Sequence, residues 1–281
     1  MSTPIWQAGR FQLNLSQPLV MGIVNVTPDS FSDGGQHQTT SAALAHCEAL
    51  LKDGADILDI GGESSRPGAP ALSAEEEWTR IGGLVREAVQ LQVPISIDTY
   101  KTETMARALD AGADIINDIR ALGAAGAMEL VAAHPNCGVC LMHMQGKPED
   151  MQQAPRYVDA VSEVRQFLSE RAQTLLNKGV ARERITLDPG YGFGKTPQHN
   201  LDLWCRQAEL LDLGFPLLIG WSRKSTLGVI TGKPVEQRLA ASLAAALASI
   251  QRGGRIIRVH DVAETVDAIK VWHAAGLLES T

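Results

Sequence analysis

Short apolar runs alternate with longer amphipathic stretches along almost the whole chain. Eight runs are too short to be helices, and most are apolar on both faces, which is typical of strands in a buried parallel sheet. In order along the chain, the runs cover residues 19–24, 56–60, 94–97, 114–116, 139–142, 184–187, 216–219 and 255–259. The pattern therefore predicts eight parallel strands.

The stretches between these runs have helical periodicity. They cover residues 40–53, 157–177 and 235–252, and a further run to residue 91 begins with a capping box formed by Ser73 and Glu76. Asp261 is predicted to cap the last helix. Eight strands with intervening helices, at about 31 residues per unit, predict a (β/α)8 TIM barrel. A doubly wound open sheet is the alternative fold.

The first residues precede the barrel pattern and are predicted to form a β-hairpin. The turn is expected at Ala8-Gly9-Arg10, and the hairpin is expected to close the barrel bottom. We predict one domain over residues 1–281, with the hairpin in 1–18 and the barrel in 19–275.

Composition narrows the possible functions. The chain has 281 residues, of which 44% are hydrophobic, and its net charge of −7 argues against nucleic-acid binding. No apolar run is long enough to span a membrane, and no secretory signal is visible. The four cysteines then indicate reduced thiols and a cytoplasmic location. The spacing of Cys137 and Cys140 also occurs in redox and metal sites, but Cys140 lies in an apolar run, which favours buried thiols.

Polar residues cluster at or after the ends of the predicted strands. In a barrel these ends converge on one face, where active sites form. The residues are Asn25, Asp59, Asp98, Asn117, His143, Asp188, Ser222, Lys224, Arg258 and His260. Each of them could also be a helix cap or a surface ion-pair partner. The presence of ten such polar residues at the strand ends predicts an active site on this rim.

The cluster combines two kinds of chemistry. Asp98, Asn117 and Asp188 could bind a flat heterocycle whose edges carry N–H donors and ring acceptors. Positive groups could bind an anion such as a phosphate, and these are Arg66, Arg223, Lys224, Arg258 and His260.

Two loops on the rim are candidate lids. They are rich in glycine and proline and follow the first two barrel strands, over residues 27–35 and 61–69. Phe31 in the first loop could cover a substrate or pack on the rim. The segment 188–196 is similar to a phosphate loop, but Pro189 stands where that motif needs glycine.

The motifs taken together closely resemble the dihydropteroate synthase family of folate biosynthesis. They read, in order, MGIVNVTPDSFSDGG, DIGGESSRPGA, SIDTYK, INDI, LMHMQG, LDPGYGFGK, GWSRKS and RVHDV. The resemblance implies a pterin-binding (β/α)8 barrel and a transferase. Such an enzyme condenses 6-hydroxymethyl-7,8-dihydropterin diphosphate with 4-aminobenzoate, releasing dihydropteroate and diphosphate. It further implies Mg2+ as cofactor, inhibition by sulfonamides and a homodimer.

The resemblance also implies roles for individual residues. Asp98, Lys224, Arg258 and Asp33 would be catalytic, with the diphosphate leaving from a cation-like pterin. The pterin would contact Asp98, Asn117, Met142, Asp188, Phe193, Gly220 and Lys224. The aminobenzoate would contact Phe31, Ser65, Pro67, Phe193, Lys224 and Ser225. The diphosphate would contact Asn25, Arg66, Arg258 and His260, with Asn25 also a ligand of Mg2+.

The sequence departs from the family pattern in four places. Ser65 replaces the usual Thr, Tyr100 and Thr102 replace Ser and Pro, and Trp221 replaces a smaller residue. Loss of one methyl group at Ser65 is expected to change the free energy of aminobenzoate binding by about 1 kcal/mol. Trp221 could narrow the pterin pocket or face a helix.

Two other functions are alternatives to this one. Methyltetrahydrofolate-dependent methyltransferases share a pterin-binding barrel but need no diphosphate site. A catalytically silent paralogue would be expected to lack loop residues that are present here. The alanine-rich face of the helix at 235–252 could form a dimer contact or pack on the barrel.

Overall fold

A closed barrel of eight parallel strands forms the centre of the molecule. The computed structural model describes residues 4–26, 36–64 and 68–277. A separate antiparallel hairpin consists of β1 (Ile5–Ala8) and β2 (Phe11–Asn14). The barrel strands are β3 (Leu19–Asn25), β4 (Ile57–Gly61), β5 (Ile95–Asp98), β6 (Ile115–Asp118), β7 (Gly138–Met142), β8 (Ile185–Asp188), β9 (Leu217–Ile219) and β10 (Gly254–Val259).

Each barrel strand pairs with its sequence neighbours, and β10 pairs with β3 to close the sheet. The closure confirms the predicted (β/α)8 barrel and rules out an open doubly wound sheet. The helices are α1 (Gln36–Lys52), α2 (Ala74–Ala88), α3 (Thr102–Asp110), α4 (Ala127–Ala133), α5 (Ala160–Asn177), α6 (Pro197–Cys205), α7 (Ser225–Thr231), α8 (Leu239–Gln251) and α9 (Val262–Ala274). None of the helices in the described ranges is long and apolar enough to cross a membrane.

The helix signals in the sequence had mixed outcomes. The capping box is confirmed: Glu76 N donates to Ser73 Oγ at 3.2 Å, and Ser73 N donates to Glu76 Oε2 at 2.8 Å. Asp261 is the N-cap residue of α9, as predicted, but its carboxylate accepts from Arg223 and caps no backbone amide. The predicted helix over 235–252 is divided into a 3-10 turn, Val235–Gln237, and α8.

The N-terminal hairpin closes the end of the barrel where the strands begin, as predicted. Trp6 is fully buried there, and its indole Nε1 donates to Arg184 O at 3.1 Å. The apolar cluster around it includes Leu15 and side chains from several barrel strands, among them Met21 and Cys140. Burial of an indole of this size contributes several kcal/mol, roughly 3–5 by the cost of truncating such residues.

The hairpin turn is fixed by a bidentate ion pair. Arg10 donates from Nε and Nη2 to the two carboxylate oxygens of Asp114, each at 3.0 Å. Gly9 has a φ of +57°, and a Cβ at this position would lie 2.4 Å from Asp114 Oδ1, so the close approach requires glycine. Asp114 therefore holds the hairpin, and Arg184 holds neighbouring segments. The sequence placed both residues at the start of strands, but each strand begins one residue later.

The cysteine pair is buried as the sequence favoured. Cys137 and Cys140 are both inaccessible to solvent, and Cys137 Sγ contacts the carbonyl oxygen of Gly138 at 3.1 Å. Burial raises the pKa of the Cys137 thiol to about 12. Both side chains therefore behave as small apolar groups in the core.

We expect Trp6→Ala to lower the free energy of unfolding by about 3–5 kcal/mol, since it leaves a cavity beneath the barrel. Urea denaturation followed by circular dichroism measures the effect. The control is Gln12→Ala on the exposed side of β2, for which the change should stay within about 0.5 kcal/mol. Equal stability of the two variants would contradict the role given to the hairpin.

Candidate active site

A cleft opens at the carboxyl ends of the barrel strands, lined by residues of the strand ends and of the loops that follow them. The seven residues that the resemblance assigned to the pterin all line it: Asp98, Asn117, Met142, Asp188, Phe193, Gly220 and Lys224. They lie at or just after the ends of five different strands, β5 to β9, so the closed barrel is what brings them together.

Arg258 connects three strands across the floor of this cleft. Its Nε donates to Asp59 Oδ2 and its Nη2 donates to Asp98 Oδ2, both at 2.6 Å. Asp59 is completely buried and also accepts from Ser96 Oγ at 2.6 Å and from Asn117 Nδ2 at 3.1 Å. Two carboxylates, one guanidinium and one amide thus form a continuous hydrogen-bond network.

The network shifts the proton affinities of its members. Burial raises the pKa of Asp98 to about 7. The positive charge of Arg258 opposes this increase, and the negative charge of Asp59 adds to it. Burial acts against the charge of Arg258, but Asp59 and Asp98 together raise its pKa above the ordinary value. Arg258 is therefore a permanent cation, whereas Asp98 can gain or lose a proton near neutral pH.

A second acid and base lie on the opposite side of the cleft. Asp188 is buried at the end of β8 and accepts from Gly190 N at 2.7 Å. Burial raises the pKa of Asp188 to about 6 and lowers that of Lys224 to about 8. The ammonium of Lys224 lies 4.1 Å from the centre of the Phe193 ring, a cation–π contact.

His260 is not one of the positive groups that the sequence indicated. Burial, with nearby Arg258, lowers its pKa to about 3, so the ring is neutral at pH 7. Ser222 Oγ accepts from His260 N at 3.2 Å and lies 3.0 Å from the ring Nδ1. The Ser222 hydroxyl and the imidazole Nδ1 are therefore hydrogen-bonded, and the tautomer of the ring sets which of the two donates.

Other predicted residues lie at the rim or turn away from the cleft. Arg223 is exposed and forms an ion pair with Asp261, so it is not part of the cation cluster. Ser225 is exposed at the start of α7, and Asn25 is half-buried at the end of β3. Trp221 stacks on Tyr191 with 4.4 Å between ring centres and also contacts Trp204. It therefore faces the helix layer and does not narrow the pocket.

Five predicted site residues belong to the two loops that follow β3 and β4. Phe31 and Asp33 of the first loop, and Ser65, Arg66 and Pro67 of the second, lie outside the described residues. Their assigned contacts with aminobenzoate, diphosphate and the reacting carbon stay predictions.

The structure gives roles to two acidic residues that received no individual role from the sequence. Asp59 is the first, at the centre of the network. Glu63 is the second: its Oε2 accepts from Lys101 Nζ at 2.5 Å and from Leu72 N at 3.0 Å. Its Oε1 accepts from Tyr100 Oη at 2.7 Å. Glu63 thus ties the segment that follows β4 to the segment that follows β5, and Tyr100, where the family usually has Ser, supplies one of these bonds.

Comparison with known proteins gives the family. Residues 21–260 match the family model described as pterin binding enzyme. The dihydropteroate synthase of Neisseria meningitidis serogroup B is 54% identical, with 99% of each chain covered. The dihydropteroate synthase of Escherichia coli K12 is 48% identical, with 93% of each chain covered.

Solved structures agree with this result. The Xanthomonas albilineans dihydropteroate synthase with 4-aminobenzoic acid has a TM-score of 0.91 and 48% identity, covering 98% of this chain and 99% of that one. The Burkholderia cenocepacia dihydropteroate synthase with 7,8-dihydropteroate has a TM-score of 0.88 and 48% identity, covering 98% of each chain. The Yersinia pestis enzyme in a sulfonamide complex has a TM-score of 0.90 and 44% identity, covering 97% of this chain and 99% of that one.

The barrel, the cleft and the sequence matches define the class of protein. The chain belongs to the pterin-binding enzyme family and, within it, to the dihydropteroate synthases, which are transferases.

We expect Asp59→Asn to lower both stability and activity, although Asp59 lies beneath the cleft. Loss of one partner of a buried ion pair costs about 3 kcal/mol or more, because Arg258 keeps its charge with only one carboxylate. Dihydropteroate formation should fall by roughly tenfold or more, since Arg258 and Asn117 both lose their fixed position. Urea unfolding and a steady-state assay measure the two effects.

The matched control for this variant is Asp56→Asn, at the other end of the same strand. Asp56 accepts from Val20 N at 2.8 Å and lies away from the cleft, so its variant should keep normal turnover. Unchanged turnover in Asp59→Asn, or an equal loss in Asp56→Asn, would contradict the role given to the network.

Proposed function

We propose that this chain condenses 6-hydroxymethyl-7,8-dihydropterin diphosphate with 4-aminobenzoate in the cleft described above. The supporting observation is that all the pterin residues expected from the sequence line one cleft, although they come from different strands. The products are 7,8-dihydropteroate and diphosphate. The relatives with bound 4-aminobenzoic acid and 7,8-dihydropteroate have the same fold and nearly the same length.

The buried polar groups match the edges of a pterin ring. The ring presents several N–H donors beside nitrogen and oxygen acceptors, and each buried donor or acceptor needs a partner. Asp188 provides carboxylate oxygens for the donors, Asn117 provides an amide with both functions, and Lys224 provides a donor. Met142 and Phe193 supply apolar surface for the ring faces.

Charge distribution in the cleft favours departure of the leaving group. When the bond between the pterin methylene carbon and the diphosphate oxygen breaks, positive charge spreads over the dihydropterin and negative charge leaves with the diphosphate. The Asp98 carboxylate is suited to stabilise the pterin cation, and the fixed cation of Arg258 to stabilise the departing anion. His260 would contribute a neutral imidazole, rather than a positive charge, to diphosphate binding. The arylamine nitrogen then forms the new C–N bond and loses a proton.

The cofactor we propose is Mg2+. Among the described residues no three carboxylate, histidine or cysteine side chains form a metal cluster. Mg2+ typically uses one or two protein oxygen ligands and completes its shell with phosphate oxygens and water. The carboxamide of Asn25, at the strand end beside the cleft, fits such a requirement. When bound, the ion would neutralise charge on the diphosphate.

A diphosphate-release assay tests the proposed reaction. Purified protein with Mg2+ and the pterin diphosphate should release diphosphate only when 4-aminobenzoate is added. A chelator should suppress release, and a sulfonamide should compete with 4-aminobenzoate, since it mimics that substrate. Arg258→Ala should lower the rate by roughly a hundredfold or more, on the scale seen when one transition-state donor is removed.

Two outcomes would contradict the proposal. Release that does not depend on 4-aminobenzoate would indicate a hydrolase. Absence of release, with pterin binding still detectable by calorimetry, would indicate a silent paralogue. Asp56→Asn serves again as the variant expected to behave like the wild type.

We also propose that the enzyme is a cytoplasmic homodimer. Exposed apolar side chains lie on three helical segments that are neighbours in the barrel, and they include Val229, Ile230, Leu239 and Val271. Within α8, Ala245 packs inward, whereas Ala240 and Ala244 are exposed one turn apart. The small outward residues leave space for a second copy of the chain. The free cysteines are consistent with a reducing compartment.

Sedimentation velocity tests the dimer. We expect the wild type to sediment as a dimer and Ala244→Arg to sediment as a monomer, because a long cation on α8 blocks close approach. Val158→Glu, at a fully exposed apolar position before α5, is the control and should leave the dimer intact. A monomeric wild type, or a dimeric Ala244→Arg variant, would contradict the proposed interface.

A further inference from the structure

Lys195 is a buried cation that the cleft lining does not include. Its side chain is 2% exposed, at the end of the loop that follows β8. Its Nζ lies 2.9 Å from both His143 Nδ1 and Gly190 O, 3.1 Å from Phe193 O and 3.3 Å from His143 O. All four are hydrogen-bond acceptors, and within the described residues no carboxylate forms an ion pair with this ammonium.

The backbone around Lys195 is unusually close-packed. Gly190 has a φ of +68°, and a Cβ there would lie 1.9 Å from His143 O. Gly194 has a φ of +59°, and a Cβ there would lie 2.2 Å from Gln145 O. The loop after β8 is therefore pressed against the segment that follows β7, and several carbonyl oxygens point into the same small space. Converging carbonyl dipoles repel one another unless a donor lies between them.

We infer that Lys195 is a positioning residue for pterin binding, because its ammonium holds this loop in the conformation that the cleft requires. Two features of the cleft depend on the loop. Gly190 N donates to Asp188 Oδ1, which orients the carboxylate, and Phe193 places its ring against Lys224. The carbonyl groups of both loop residues accept from Lys195. This inference rests on the proposed pterin site.

A phosphate-binding role for this lysine does not fit the geometry. In a phosphate loop the lysine reaches the ligand, whereas here the ammonium is directed at protein acceptors and away from solvent. Burial lowers the pKa of Lys195 to about 7, while Asp188 acts in the opposite direction. The acceptors that surround Nζ satisfy its N–H groups inside the protein, so none is directed at a ligand.

The test compares two buried cations at opposite ends of the barrel. Arg184 is also buried, and its guanidinium donates to the carbonyl oxygens of Cys137 and Val131, both at 2.7 Å. Lys195→Met and Arg184→Met each remove a cation that holds backbone carbonyls, so both should lower the melting temperature. Binding of 6-hydroxymethylpterin is then measured by calorimetry, well below both melting temperatures. We expect Lys195→Met to weaken binding by roughly tenfold or more and Arg184→Met by less than about twofold.

Two further variants keep the result unambiguous. Asp188→Asn tests the pterin site itself: unchanged affinity there would contradict the proposed site, whereas weaker binding in Asp188→Asn with normal binding in Lys195→Met would contradict only the role of Lys195. Equal weakening in Lys195→Met and Arg184→Met would also overturn it, since the effect would then be general destabilisation.

His143→Phe covers the case in which Lys195→Met does not fold. It removes one acceptor but keeps an aromatic ring against Phe167, which lies 5.1 Å away between ring centres. We expect weakening of about threefold, smaller than for loss of the ammonium. Wild-type affinity in this variant would contradict the inference.

Discussion

The guanidinium of Arg258 is the group on which the functional end of the barrel depends. It joins β10 to β4 and β5 across the interior, with carboxylates at 2.6 Å on two of its nitrogens. Without this cation, Asp59 and Asp98 would repel each other in a region with little water, and ionising both would be costly. The charge that holds the strand ends together is also placed to attract an anionic leaving group.

The barrel keeps its two ends chemically distinct. The end where the strands begin is closed by Trp6 and by the ion pair of Arg10 with Asp114, and Arg184 satisfies carbonyl groups there. The other end carries titratable groups in an open cleft, where Lys195 satisfies the carbonyl groups of a loop. Stability is thus concentrated away from the residues whose chemistry requires partial exposure, as is usual in barrels of this kind.

The sequence predicted the residues around the cleft better than it predicted their charges. The site residues at the strand ends could be predicted because each of them is a polar residue at the end of an apolar run. Asp59 was predicted to lie on the active rim but was given no individual role, although a carboxylate within an apolar strand needs a partner. His260 was expected to be cationic and is neutral, and Arg223 was expected in the cluster and lies in a surface ion pair. Both outcomes depend on burial and on neighbours distant in sequence.

The sequence by itself determined the order of strands and helices, the capping box of α2 and five polar residues that line the cleft, namely Asp98, Asn117, Asp188, Lys224 and Arg258. These follow from periodicity and local hydrogen bonding, which a chain encodes within short segments. Only the tertiary structure decided that Arg258 bridges two carboxylates, that Lys195 points inward, and that Trp221 faces the helix layer. Those contacts join residues far apart in the chain, and closure of the barrel sets which of them meet.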